Sequence, residues 1–405
     1  MELSHLPGGA ELTYCTNIHA GETWGEIGRS LDEHVPRIRM QVSPRAPLGL
    51  GLRLSGVAAA ELARPEALER FRNQLARLGC HVFTINAFPY GPFHGTRVKE
   101  RVYEPDWRTE ERVSFTRDAA RILAALLPEG RTGSISTVPG AFKPVGREPG
   151  AVDLMAERLR RAAADLVAIE RATGRVLALA LEPEPCCLLE TVEETLAFFE
   201  GTLFAAEAIA RFAALTGLAS AQAEEALRRH LGVCYDVCHG AVEFEDPVAS
   251  LRTLKAAGIS VPKIQLSAAM RVSEMTPELL PRLRPFDTGV YLHQVVARNG
   301  RLDRFVDLPQ AFAAFAAGRA RGEWRIHCHV PVFLPHLGDL GSTQDALVAT
   351  LRALRTEAFS PHLEVETYTW DVLPEHLKTA SKADDIAREL GFVLGELGHE
   401  RHDEA

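Results

Sequence analysis

Leu231-Gly-Val-Cys-Tyr-Asp236-Val-Cys-His239 is an apolar run that stops at a carboxylate, with an imidazole three residues further on. Two other stretches have the same construction, Val176-Leu-Ala-Leu-Ala-Leu-Glu182-Pro-Glu184-Pro and Leu363-Glu364-Val-Glu366-Thr-Tyr368. Short runs of this kind are what parallel strands buried on both faces look like, because helices cover one face and layered side chains fill the other. A carboxylate at the C-terminal tip of such a strand sits where barrel enzymes keep their reacting groups. A fourth stretch, Trp324-Arg-Ile-His327-Cys-His329-Val-Pro331, carries imidazoles at i and i+2, which an extended backbone turns the same way. Asp, Glu and His converging in one mouth is ligand chemistry for a divalent cation.

Working outward, five further runs read as strands: Glu11 to His19, Leu48 to Ser55, His81 to Asn86, Gly133 to Val138 and Val261 to Ser267. Periodic helical stretches separate them, among them 24–39, 65–78, 109–127, 152–173, 192–216, 219–230 and 247–258. Pro65 inside the start of one and Gly79 just past its end are terminal signals. Strands alternating with helices of about a dozen residues make right-handed βαβ units and a parallel sheet. The alternation breaks at 288–308. There Arg298-Asn299-Gly300 between two β-rich runs predicts a hairpin with a type I′ turn, read as an insertion between strands seven and eight. Helices at 309–320 and 343–358, the strand at 362–369 and a closing helix capped by Ser381 complete the pattern. Residues 93–110 form a long loop with His94, Arg97, Lys99, Arg101 and Trp107, expected as an ordered lid. No repeat or low-complexity linker divides the chain, so 1–405 reads as one α/β domain with a charged tail, 398–405, that frays.

The bulk composition excludes more than it selects. An apolar fraction of 46% with 24% charged residues is ordinary for a soluble globular protein. The net charge of −9 speaks against general nucleic-acid binding, which needs a basic face. No run approaches the roughly 18 apolar residues that cross a membrane. No charged-then-apolar leader is visible, and seven scattered cysteines do not form a disulfide framework. The expectation is a cytoplasmic protein with a small-molecule substrate; its oligomeric state stays open.

Glu182, Asp236, His239, His327, His329 and Glu366 are the main candidate ligands. Glu364 and Glu366 alternate with Leu363 and Val365, so both point to one face of a buried strand and need a cation or an arginine beside them. Glu366, nearer the strand end, is the candidate ligand and Glu364 its support. Gln265 ends the seventh strand and offers an amide oxygen. His19 and Asn86 stand at strand ends, and Lys263 and Arg97 are candidates for substrate contact.

In order, Glu on strand five, Asp-x-x-His on strand six, a polar ligand on strand seven, His-x-His and Glu on strand eight resemble the xylose isomerase-like (AP endonuclease family 2-like) TIM barrel superfamily. That resemblance implies a metal-dependent (β/α)8 barrel. More narrowly, Leu12-Thr-Tyr-Cys-Thr-Asn-Ile-His19 with Gly21-Glu22 and Trp24, Asn86-Ala-Phe-Pro-Tyr-Gly91 and His329-Val-Pro331 look like the bacterial metabolite traffic protein EboE. The resemblance implies a metal held by Glu182, Asp236, Gln265 and Glu366, with His239 beside it. His327 and His329 fall where endonuclease IV binds an additional metal. Glu182 and Glu366 would shuttle protons, with His239 assisting, on a sugar, cyclitol or sugar phosphate. The family's strand-seven ligand is usually His; Gln265 favours Mn²⁺ or Mg²⁺, while the histidines suit Zn²⁺. One ion is expected, and up to three are compatible. Two alternatives stay open: a multi-zinc phosphoesterase of the endonuclease IV type, and a non-catalytic metabolite-binding barrel.

Overall fold

The runs that end in carboxylates lie side by side in one parallel sheet. The computed structural model describes residues 1–92, 99–287, 289, 291–368, 370 and 381–399. In chain order its strands are β1 (Glu11–Tyr14), β2 (Leu48–Arg53), β3 (Cys80–Asn86), β4 (Gly133–Thr137), β5 (Leu177–Leu181), β6 (Leu231–Asp236) and β7 (Ser260–Leu266). They continue with β8 (Ala269–Val272), β9 (Val295–Arg298), β10 (Leu302–Phe305), β11 (Glu323–His329), β12 (His336–Leu337), β13 (Leu340–Ser342) and β14 (His362–Val365). The main sheet runs β1-β14-β7-β6-β5-β4-β3-β2. Every pairing in it is parallel, the arrangement of a (β/α)8 barrel.

Closure between β1 and β2 is made by side chains as well as backbone. Cys15 bridges Gly51 in parallel. The Thr13 hydroxyl accepts from Gly51 N at 3.0 Å and donates to Gly49 O at 2.7 Å, and Arg53 N donates to the Thr16 hydroxyl at 2.8 Å. The glycines of β2 admit this approach. A Cβ on Gly51 would stand 1.6 Å from Glu364 Oε1, and one on Gly49 2.4 Å from the Phe83 ring.

The hairpin lies between the seventh and eighth barrel strands, but it is one part of a larger insertion. Strands β10-β9-β11-β8-β13-β12 form a second, antiparallel sheet that includes the two-histidine stretch as β11. The turn also differs from type I′. Gly300 alone takes a positive φ, 72°, and Asn299–Arg301 form a three-residue connection, because Arg298 pairs with Leu302. A register shift between Ile326 and His329 re-aims the end of β11.

Helices follow their sequence signals closely. Pro65–Leu78 ends at Gly79, φ 66°, and Ser381 caps Lys382–Glu396. The stretch expected as one helix over 192–216 is interrupted: Val192–Phe198 passes through a wide turn, Phe199–Leu203, into Ala206–Thr216. Of the expected lid, residues 93–98 with Arg97 lie outside the described residues; Lys99–Tyr103 is a 3-10 turn and Trp107 is buried. One contiguous apolar cluster joins the barrel, its helices and the second sheet.

The closure predicts a test. Replacing Thr13 by Val leaves a buried N–H and a buried carbonyl unpaired, at a cost of about 2–4 kcal/mol, while Thr13→Ser retains most of the stability. Urea unfolding followed by circular dichroism measures both; a Val variant as stable as wild type would show the hydroxyl to be dispensable.

Candidate metal centre

Three strand ends and one strand of the insertion deliver the ionisable groups to the C-terminal mouth. Glu182 follows β5, Asp236 ends β6, His239 sits one helical turn later, Glu366 follows β14, and β11 ends in His327 and His329. All are buried. All of them except Asp236 line a cavity together with Glu184, Asn17, Asn86, Gln294, Lys99 and the rings of Tyr103, Tyr291 and Tyr368.

The oxygen side of the centre is Glu182, Asp236 and Glu366, one ligand oxygen from each lying within 4.8 Å of the others. Glu366 Oε1 is oriented by the Asn17 amide at 2.6 Å and the Asn86 amide at 3.2 Å. Asp236 Oδ1 accepts from the Ser267 hydroxyl at 2.7 Å and from His239 N at 3.1 Å. Asp236 Oδ2 and Glu182 Oε2 are buried without a hydrogen-bond partner among the described residues. The same holds for both amide atoms of Gln265, whose Cα registers with that of Asp236 on the neighbouring strand. Buried polar atoms are nearly always paired, so such a cluster of orphans calls for a cation.

The nitrogen side is sharper. His239 Nδ1 faces Pro183 O at 2.9 Å and His329 Nδ1 faces Glu366 O at 2.9 Å; both are main-chain carbonyls, so these nitrogens carry the protons. His327 Nδ1 faces Gln294 Oε1 at 2.8 Å, and that oxygen is assigned because Gln294 Nε2 must donate to Pro185 O at 3.2 Å. The three Nε2 atoms converge. His327 Nε2 is 3.1 Å from His239 Nε2 and 3.2 Å from His329 Nε2. Nitrogens held by zinc at 2.0–2.1 Å with tetrahedral angles lie about 3.3 Å apart. Burial keeps the His239 and His327 rings neutral, and their Nε2 lone pairs facing at 3.1 Å repel unless a cation sits between them, so the donor set fits a metal. The Cys238 thiol also lies within 4.8 Å of His327 and His329 ligand atoms.

Electrostatics agree. Burial, then the Asp236 carboxylate, pushes the Glu182 carboxyl well above its ordinary range; burial, then Glu182 and Asp236, does the same to Glu366. For Asp236 burial is outweighed by the His239 and His329 rings, the Ser267 hydroxyl and the His239 N–H, so it stays ionised below the usual range. Burial lowers His239 to about 4 and His327 well below its ordinary value, which keeps both rings neutral. Burial lifts Glu184 to about 8, against hydrogen bonds from Tyr103 and Gln294.

Several expectations need correction. Lys263 does not reach the cavity: it is fully buried inside the barrel, 2.6 Å from Glu364 Oε2. Burial works against its charge, and Glu364 overrides this and holds the ammonium. Glu364 is therefore the partner of Lys263 and not a support for Glu366. His19 is also turned away. Its ring stacks on His34 at 4.5 Å and meets the Tyr14 hydroxyl at 3.1 Å, because the short turn Thr16–Ile18 presents Asn17 to the mouth instead. His293, in the stretch leading into the hairpin, is buried. Sequence reasoning missed Asn17, Tyr103, Glu184 and Gln294. Glu184 stood in the quoted Glu-Pro-Glu run, two residues past a strand tip, and was the legible one; Gln294 gave no local signal.

Neither a family model nor a curated protein matches the chain. Solved structures similar to it include L-ribulose 3-epimerase, 12% identical over 98% of this chain and 100% of that one, TM-score 0.47. D-psicose 3-epimerase in the presence of D-fructose is 12% identical over 96% and 99%, TM-score 0.47. A xylose isomerase domain protein from Planctomyces limnophilus is 13% identical over 96% and 95%, TM-score 0.46. No helix among the described residues is long and apolar enough to cross a membrane.

Two outcomes follow. Lys263→Met leaves Glu364 buried and unpaired, costing about 3–5 kcal/mol in urea unfolding, and adding Glu364→Leu recovers most of it; a lone Lys263→Met without effect would deny the pair its role. Carboxyls with raised pKa bind more protons folded than unfolded, so metal-free protein loses stability as pH rises from about 5 to about 8, with Glu184 at about 8 contributing. Metal uptake near neutral pH expels protons from Glu182 and Glu366, read by calorimetry in buffers of different ionisation enthalpy. Uptake without proton release would contradict the assignment.

Proposed function

We propose that the protein is a metal-dependent enzyme of the sugar isomerase or epimerase type, acting on a small polyhydroxylated molecule. The observation that carries this reading is the placement of Glu182 and Glu366 on the wall of one cavity, with an Asp236 oxygen within 4.8 Å of theirs. Glu182, Asp236, Glu366 and Gln265 would hold the ion, and His239, His327 and His329 a further one. A divalent ion bound there supplies Lewis-acid polarisation of substrate oxygens.

The chain's own groups do the rest. A substrate carbon between Glu182 and Glu366 meets one carboxyl on either side, so one removes a proton and the other returns one. Asn17 and Asn86 hold Glu366 in its orientation. The Tyr103 hydroxyl donates to Glu184 Oε1 at 2.8 Å and receives Gln294 Nε2 at 2.8 Å, a polar wall suited to hydroxyl groups. Tyr291 and Tyr368 rings, 5.8 Å apart, form an amphipathic face on the same wall. The EboE-like segments contribute Asn17, Asn86, Phe88, Pro89 and His329 to this cavity, which supports reading them as substrate-facing parts of an EboE-type pathway enzyme.

Phosphoester hydrolysis is the second reading, favoured by one observation: the imidazole trio adds a second set of ligands beyond what proton transfer requires.

The test is solvent exchange. Metal-loaded protein is incubated with ketoses and cyclitol ketones in D₂O, and proton NMR follows loss of the C–H signal beside the carbonyl. Exchange is expected, lowered roughly 10²–10⁴-fold by Glu182→Gln or Glu366→Gln. No exchange together with hydrolysis of bis(p-nitrophenyl) phosphate would transfer the assignment to the second reading. Sugar binding without turnover of either kind would leave a binding barrel.

A further inference from the structure

We propose that the centre is built for two different ions at once. A hard divalent cation of the Mn²⁺ class occupies the all-oxygen set Glu182, Asp236, Glu366 and Gln265. Zn²⁺ occupies the imidazole set His239, His327 and His329, and Asp236 stands between the two. The inference rests on the reading of this centre as a metal site and specifies its ions.

The two sets differ in chemistry. The first offers three grouped carboxylates and, on the strand beside Asp236, the Gln265 amide, all oxygen donors of the kind hard ions take. Gln265 brings no nitrogen lone pair, since an amide ligates through oxygen. The second offers three imidazole nitrogens, with His327 Nε2 3.1 and 3.2 Å from the other two, separations that a tetrahedral zinc gives its ligands, and a thiol nearby. Asp236 belongs to both. One of its oxygens groups with Glu182 and Glu366, and its unpartnered Oδ2 lies 3.8 Å from His239 Nε2 and 3.9 Å from His329 Nε2. A carboxylate has an oxygen for each neighbour, so Asp236 completes the imidazole set as a fourth ligand while it serves the oxygen set.

The fold explains the division. The oxygen set comes from β5, β6, β7 and β14, the barrel proper; two of the three imidazoles come from β11 in the inserted sheet. Gln294, just before β9, fixes the His327 ring through its amide oxygen. The insertion thus adds a nitrogen site beside an oxygen site. Zinc binds nitrogen and oxygen donors more tightly than manganese everywhere, so the distinction shows only when zinc is limiting.

The experiment strips the full chain of metal and adds one equivalent of Zn²⁺ with excess Mn²⁺. After desalting, mass spectrometry counts both ions and electron paramagnetic resonance reports bound Mn²⁺. About one zinc and about one manganese per chain are expected. His327→Gln should lose the zinc and keep the Mn²⁺ signal. Glu366→Gln should lose the Mn²⁺ signal and keep the zinc. Gln265→His, which changes hardness alone, should let excess zinc displace manganese more readily than in wild type. A single kind of ion filling both sets, one ion per chain, or loss of both ions in each variant would overturn the inference and leave the metalloenzyme reading intact. No bound ion under any loading would remove both.

Discussion

The constraint on which this structure depends is the cost of burying ionisable groups away from water. Four carboxyls, Glu182, Glu184, Asp236 and Glu366, and three imidazoles are brought to one end of the barrel, and a fifth carboxylate, Glu364, is fully buried within it. Isolated, each charge would cost several kcal/mol to bury. The protein meets that cost in two ways. Deep in the barrel, Lys263 lies 2.6 Å from Glu364, one charge against another. At the mouth the cavity's lysine, Lys99, is paired with Asp307, and burial holds Glu182 and Glu366 protonated and two of the rings neutral, leaving the centre set up to exchange protons for metal.

The same economy shapes the neighbourhood of β2. Its glycines let Glu364 and Phe83 approach the backbone to distances that no side chain would permit, and this brings β1 close enough for the Thr13 hydroxyl to close the barrel. Barrel closure and the interior ion pair are thus linked through Gly51. The inserted sheet is linked to the mouth in a comparable way. Its strand β11 ends in a register shift that turns His327 and His329 toward His239, and Gln294 holds the tautomer of His327.

Much of this was legible in the chain. The seven strands β1 to β7 and the last barrel strand, β14, were readable because a strand buried on both faces has a local signature. The residues at strand tips, Glu182, Asp236 and Glu366, followed from that reading, as did the like-facing pair His327 and His329. The hairpin was legible from Asn299-Gly300, but its extension into six strands was not, because edge pairings such as β8 with β13 join short segments with no turn signal between them.

What the sequence determined by itself is the order of elements and the chemistry available at each strand end, since both depend on local periodicity and residue type. Tertiary structure alone decided which groups meet. Asn17 and not His19 reaches Glu366, across 349 residues of chain; Lys263 turns inward to Glu364 and not outward to the cavity; Gln294 meets His327 from just ahead of a separate strand of the insertion. These outcomes depend on direction and distance between segments remote in sequence. No local pattern encodes them, because a side chain's partner is chosen by the packing of the whole barrel.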